Sequence, residues 1–251
     1  MKEKKEKQSR STAPGGTPPA QHNLARTWDN VGEQMFVPAH YEFSNPDALA
    51  AYIAANPVGQ LVSGHKGALF STFVPFYAAP KKKHEKLRLA GHMAARNAQV
   101  VAIQENASAM AVFSSPGAYI SPRWFCQNVT APTFSYVSVQ ARGRLVPVDD
   151  PAEKLNILRL TVDHMESLAS AGDDDEPWSM DMLTQAQVDR YGPMVAAFYL
   201  EVDAIEGVAR LNQEKEEKDM RSIVEGLSAQ ENPGAQHIAA LMRQNLRLVG
   251  R

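Results

Sequence analysis

The sequence predicts a mainly β protein, an antiparallel barrel with peripheral helices (α+β). Short apolar runs recur at close spacing between residues 59 and 148, the first two separated by the turn-like "HKG". Only two longer helical patterns, at 150–167 and around 185–191, interrupt the strand-like runs. Strands and helices do not alternate and no G-x-G-x-x-G follows a strand, which excludes a doubly wound sheet.

Each element has its own signal. Residues 1–30 read as a basic, Pro/Gly-rich tail: "MKEKKEKQSR" and "STAPGGTPPAQ" hold too little apolar surface to offset ordering entropy. Order is expected from about Met35. "SNPDALAAYIAANP" gives a helix capped by Ser44 or Asn45, with Pro46 in its first turn, Leu49 and Ile53 as its buried stripe and Pro57 as its stop. "GQLVSG" (59–64), "ALFSTFVPFYA" (68–78), "KLRLAGH" (86–92) and "SAMAVFSS" (108–115) follow as strands. In "TFSYVSVQARGRLVPV" (133–148), Val137, Val139 and Ala141 point one way and Ser138, Gln140 and Arg142 the other. "VAAFYLEVDAIEG" (195–207) is the last strand. "NQEKEEKDMRSIVEGL" and "QHIAALMRQNLRLV" read as amphipathic helices on the surface or bridging subunits. The expected organisation is a tail (1–30), a barrel domain (31–212) and C-terminal helices (213–251).

Composition narrows the classes. At 251 residues, 44% hydrophobic and 22% charged, the chain is ordinary for a globular protein with a sizeable core. A net charge of −2 gives no global basic field, so direct DNA binding is unsupported. The single Cys126 forms no internal disulfide, no apolar run approaches a membrane span, and no apolar core follows the charged start as in a secretory signal; a cytoplasmic location is expected.

Catalytic signatures are few. H-E-x-x-H, paired C-x-x-C, a Walker loop and G-x-S-x-G are all missing, and the histidines fall in separate segments without metal-ligand spacing, so no metal is expected. The acidic "DDDEPW" (173–178) reads as solvated surface. What remains is "LAGHMAARNAQVVA" (89–102). A strand ending at Gly91-His92 and a helix starting near Met93 or Ala94 would present free N–H groups, with Arg96 and Asn97 as further donors, to a phosphate. The plainer reading is a packed alanine helix with a solvated Arg96. Phe134 and Tyr136 share a face and either flank a flat ring or fill the barrel core. "SSPGAYISPRWF" (114–125) is a loop that covers a pocket or caps the barrel end.

Taken in order, "MFVP" (35–38), "STFVP" (71–75), "GHMAARNA" (91–98), "SPGAYISPRWF" (115–125), "PTFSY" (132–136) and "IEGVARLNQEK" (205–215) resemble the motifs of the PaiB-type FMN-binding split-barrel family, which is described as comprising negative transcriptional regulators. The resemblance spans about residues 35–225 and implies an antiparallel FMN-binding split β-barrel, FMN as cofactor, and a homodimer with the flavin at the interface between barrels. It assigns the phosphate to Gly91, Arg96 and Asn97, with hydroxyls from Ser71 and Thr72 and with His92 orienting the loop. It sets Phe134 or Tyr136 near the ring, and Phe73, Thr133 and Gln213 at further motif positions. Four departures stand out: Phe73 for a strand His, Arg96 one place late, Phe134-Ser135 for Trp-Asn, and Glu214 where the family has a neutral amide. The readings to weigh are a flavoprotein with flavin-dependent oxidoreductase capacity, a transcriptional regulator, and a binding module that has lost the flavin; no substrate or acid–base pair is legible.

Overall fold

The computed structural model describes residues 35–79, 86–126, 130–170 and 176–249. The expected tail at 1–30, the lysines of "KKKHEK" up to position 85 and the aspartates at 173–175 lie outside those residues.

The first helix, α1 (Pro46–Ala55), is capped by Asn45, whose Oδ1 accepts the N–H groups of Asp47 and Ala48 at 3.0 Å; Ser44 is not the cap. Strands β1 (Val58–His65) and β2 (Ala68–Ala78) form the expected hairpin. Lys66 (φ 47°) and Gly67 (φ 83°) make its two-residue turn, whose left-handed backbone matches the twist of the strands. There follow β3 (Arg88–Ala94), α2 (Val100–Gln104), β4 (Ser108–Ser114), β5 (Ala118–Ile120), β6 (Thr133–Val148), α3 (Pro151–Ala169), α4 (Gln185–Tyr191), β7 (Val195–Arg210), α5 (Glu217–Ser228) and α6 (Pro233–Val249).

All pairings are antiparallel, in the order β4-β1-β2-β3-β7-β6-β5, and β4 also pairs with β6. That second pairing closes six strands into a barrel and leaves β5 as an extension of β6. Alternation along β6 puts Val137, Val139 and Ala141 inside, as their period-2 pattern predicts. The barrel core is centred on Phe76, Phe113 and Phe198, which meet edge to face with centroids 5.4 and 6.2 Å apart.

One expectation is corrected. The strand carrying Gly91 does not end at His92. It runs to Ala94 because His92, Met93 and Ala94 pair with Ala197, Ala196 and Val195 of β7, and this ladder overrides the helix propensity of the alanines. The next helix along the chain is α2, five residues beginning at Val100. The C-terminal helices bury their apolar stripes within their own chain. Ile223, Val224 and Leu227 of α5 and Ile238, Ala239 and Met242 of α6 are buried against each other and against Ala118, Ile120 and Val137.

One barrel face is covered by α3, whose Ile157 packs with Ala90, Val148, Ala197 and Tyr199. The outer side of β1, β2 and β4 is covered by none of the described residues. There Leu69 is 83% exposed, Phe73 73% and Val58 48%, while Val62, Met110 and Val112 are half-buried.

Candidate functional site

The uncovered face has a regular layout. Across it Phe73 lies opposite Gln60, Gln60 opposite Val112, Val112 opposite Gln140, and Gln140 opposite Glu206. Gln60 donates its amide to Ser71 Oγ (2.8 Å) and so fixes that hydroxyl. At the edge of β2, Thr72 Oγ1 accepts from Asn97 Nδ2 (3.0 Å), and Asn97 Oδ1 accepts the Gln99 N–H (2.9 Å). Gln99, fully buried, donates to the Leu61 carbonyl and to Ser63 Oγ. This chain of bonds ties the turn after β3 to the β1–β2 hairpin. The Ala95 N–H, next in the turn, is spent on the Met194 carbonyl (2.8 Å). Arg96 projects from the turn into solvent and makes no ion pair with any described residue.

The residues singled out in the sequence therefore divide into three groups. Thr72 and Asn97 come together through their hydrogen bond; Ser71 and Phe73 flank Thr72 on β2 but face the other way, and Arg96 stands beside Asn97 in the turn. Gly91 does not join them: a Cβ there would stand 2.9 Å from the Phe198 ring and 3.0 Å from Val74, so the glycine makes room for the core rather than for a ligand. His92 shares the outward face of β3 with Ala90, on the side that α3 covers, and so does not orient the turn. Its Nδ1 is buried without a partner among the described residues, and burial lowers its pKa. The helix N-terminus expected to cradle a phosphate is replaced by this hydrogen-bonded turn.

Thr133, Phe134, Tyr136 and Gln213 form the third group, at the far end of β6. Phe134 is 50% exposed and lies over Gly117, so it is a surface aromatic and not barrel core. Tyr136 pairs with Arg210. Gln213 closes the end of β7: its Oε1 accepts the Leu211 N–H (2.8 Å) and its Nε2 donates to the Ala209 carbonyl (2.6 Å). Beside it, Glu214 is balanced by Lys215 (3.4 Å) and by Tyr41, whose pKa is raised by burial and then by that carboxylate. The segment 114–125 holds β5 and a turn at Pro122–Trp124, and it seats Trp124 on Gly226 of α5.

Within one chain the first and third groups are separate. Phe73 and Phe134 lie three strand steps apart in the closed barrel, and Phe134 is six residues from Gln140, the β6 residue in the row of Phe73. That is on the order of 20 Å. Sequence reasoning missed Gln60 and Gln99. A glutamine set into an apolar strand and another two residues after Asn97 were the available signals, but their partners are 11 and 36–38 residues away.

A closed antiparallel barrel with hydroxyl, amide and guanidinium groups beside an open apolar face defines a split-barrel protein of the flavin-binding kind. The family described as "Putative FMN-binding domain" matches residues 35–204, and the chain belongs to it, with FMN as the cofactor. Protease synthase and sporulation protein PAI 2 of Bacillus subtilis (strain 168) is 26% identical over 215 residues, 85% of this chain and 99% of that one. This agrees with the PaiB-type resemblance of the motifs. The flavocytochrome Anf3 of Azotobacter vinelandii shares the fold, with TM-score 0.51 and 16% identity over 76% of this chain and 80% of that one. So does the protein Rv2991 of Mycobacterium tuberculosis, with TM-score 0.50 and 10% identity over 70% and 91%.

Proposed function

We propose that this FMN-binding, PaiB-like protein works as a homodimer, with the flavin held between the β2 face of one chain and the start of β6 of the other. The observation that carries this reading is the separation of the two residue groups. Each is too sparse alone to enclose a flavin, and a two-fold partner laid on the open β1–β2–β4 face would supply the second group.

The donor set suits the cofactor. Arg96 offers a forked cation to the phosphate, and Ser71, oriented by Gln60, offers a hydroxyl. Asn97 holds the turn by its bond to Thr72 and is a positioning residue. Phe73 and Leu69 give apolar surface, and Phe134 and Tyr136 an aromatic wall. Bound FMN supplies hydride or electron transfer; the chain's own part is to orient the ring and to shut out water with its exposed apolar side chains. The negative charge at Glu214 does not oppose the flavin phosphate, because Lys215 and Tyr41 engage it locally.

The test is a titration of the purified protein with FMN and with riboflavin, followed by visible absorption. Wild type is expected to bind FMN as a dimer, and Arg96→Ala to weaken FMN about tenfold while leaving riboflavin nearly unchanged, the loss of one charge-assisted contact. Equal weakening of both ligands places the phosphate elsewhere.

A further inference from the structure

We infer that the groove between α3 and α4 is a second binding site, for a small apolar carboxylate, on the α3-covered side of the barrel rather than on its open face. The groove is open on one side and has a volume of about 620 Å³, within the range of small-molecule sites. Its walls are Leu155 and Leu158 of α3, one turn apart on the same face, and Val188 of α4 with Pro193 beyond it. These side chains are half-buried except for the exposed Pro193, so an apolar ligand would take them out of water.

The charge of the ligand follows from the rim. Lys154 is the only cation among the lining residues, is half-buried, and makes no ion pair with any described residue. The opposing carboxylate, Asp189, accepts the Gln185 amide (2.8 Å) and is turned to solvent. An anion that reaches Lys154 while its apolar body lies on Leu155, Leu158 and Val188 satisfies both features; a cation would have only the exposed Asp189. None of these residues belongs to the groups assigned to the flavin, so the inference does not depend on that reading.

The experiment uses the full chain and two probes, 2-naphthoate and its uncharged counterpart 2-naphthalenemethanol, followed by calorimetry. Wild type is expected to bind naphthoate. Lys154→Gln, a change at a partly solvated side chain, should weaken naphthoate about fivefold and leave the alcohol within about twofold. Val188→Trp should fill the groove and remove binding of both, with FMN affinity unchanged in either variant. Failure of wild type to bind naphthoate at millimolar concentration overturns the inference, as does equal weakening of both probes by Lys154→Gln. Naphthoate binding that survives in a folded Val188→Trp protein also overturns it. If Val188→Trp does not fold, the Lys154→Gln comparison decides. Loss of FMN binding in wild type with naphthoate binding intact would count against the flavin site alone.

Discussion

His92 shows what burial does to a titratable side chain whose Nδ1 has no partner among the described residues. Its pKa is held below the ordinary 6.5 because burial keeps water from the ring. The unfolded chain takes up a proton as pH falls through about 6.5 and the folded one resists it, so stability drops on the acid side, by up to about 1.4 kcal/mol per pH unit. Melting curves from pH 7 to 5 should show a steeper loss in wild type than in His92→Phe; parallel losses would mean that the ring titrates normally. At the same scale, the sequence set Asn97 beside the β2 hydroxyls, and its amide does bond Thr72 Oγ1 (3.0 Å), a contact between polar side chains of two short motifs. It misread Gly91 and His92, because whether a strand residue faces the core, a helix or a ligand depends on what packs outside it, and nothing local records that.

Elements were legible where pattern and tertiary context agree. The Lys66-Gly67 hairpin, the Asn45 cap and the alternation of β6 follow from turn chemistry, capping and period-2 burial, all local properties. The failure came at "HMAARNA", where helix-forming residues sit beside a strand that recruits them into its ladder. The same dominance of context sets the sign of a helix substitution. Gly→Ala inside a helix ordinarily stabilises by up to about 1 kcal/mol. At Gly226 a Cβ would stand 2.4 Å from the Trp124 ring, so Gly226→Ala should instead destabilise by about 1–3 kcal/mol. A denaturant midpoint that rises in this variant would show that Trp124 moves aside without cost.

For the whole molecule the open sheet face is decisive. Its exposed Leu69, Phe73 and Val58 form a contiguous apolar surface with Val62, Met110 and Val112, the sort of patch that a partner copy covers. Phe73→Asp should convert the proposed dimer to monomer in sedimentation equilibrium and weaken FMN and riboflavin together, in contrast to Arg96→Ala. A Phe73→Asp protein that stays dimeric would assign the interface to another surface. The barrel class was readable from strand spacing, but its closure through β4 and β6 was not. Nor was the burial of α5 and α6 within their own chain, since an amphipathic stripe shows that a helix must be covered and not by what.

The place of β7 has a consequence for how the chain is made. It is the last strand to be synthesised, yet it lies between β3 and β6. Until Arg210 has emerged from the ribosome, β3 and β6 each present a bare row of backbone donors and acceptors, and the Phe76–Phe113 pair lacks Phe198. A nascent or truncated chain ending before Val195 is therefore an open trough with two sticky edges, and its window of vulnerability to aggregation closes when that one strand arrives.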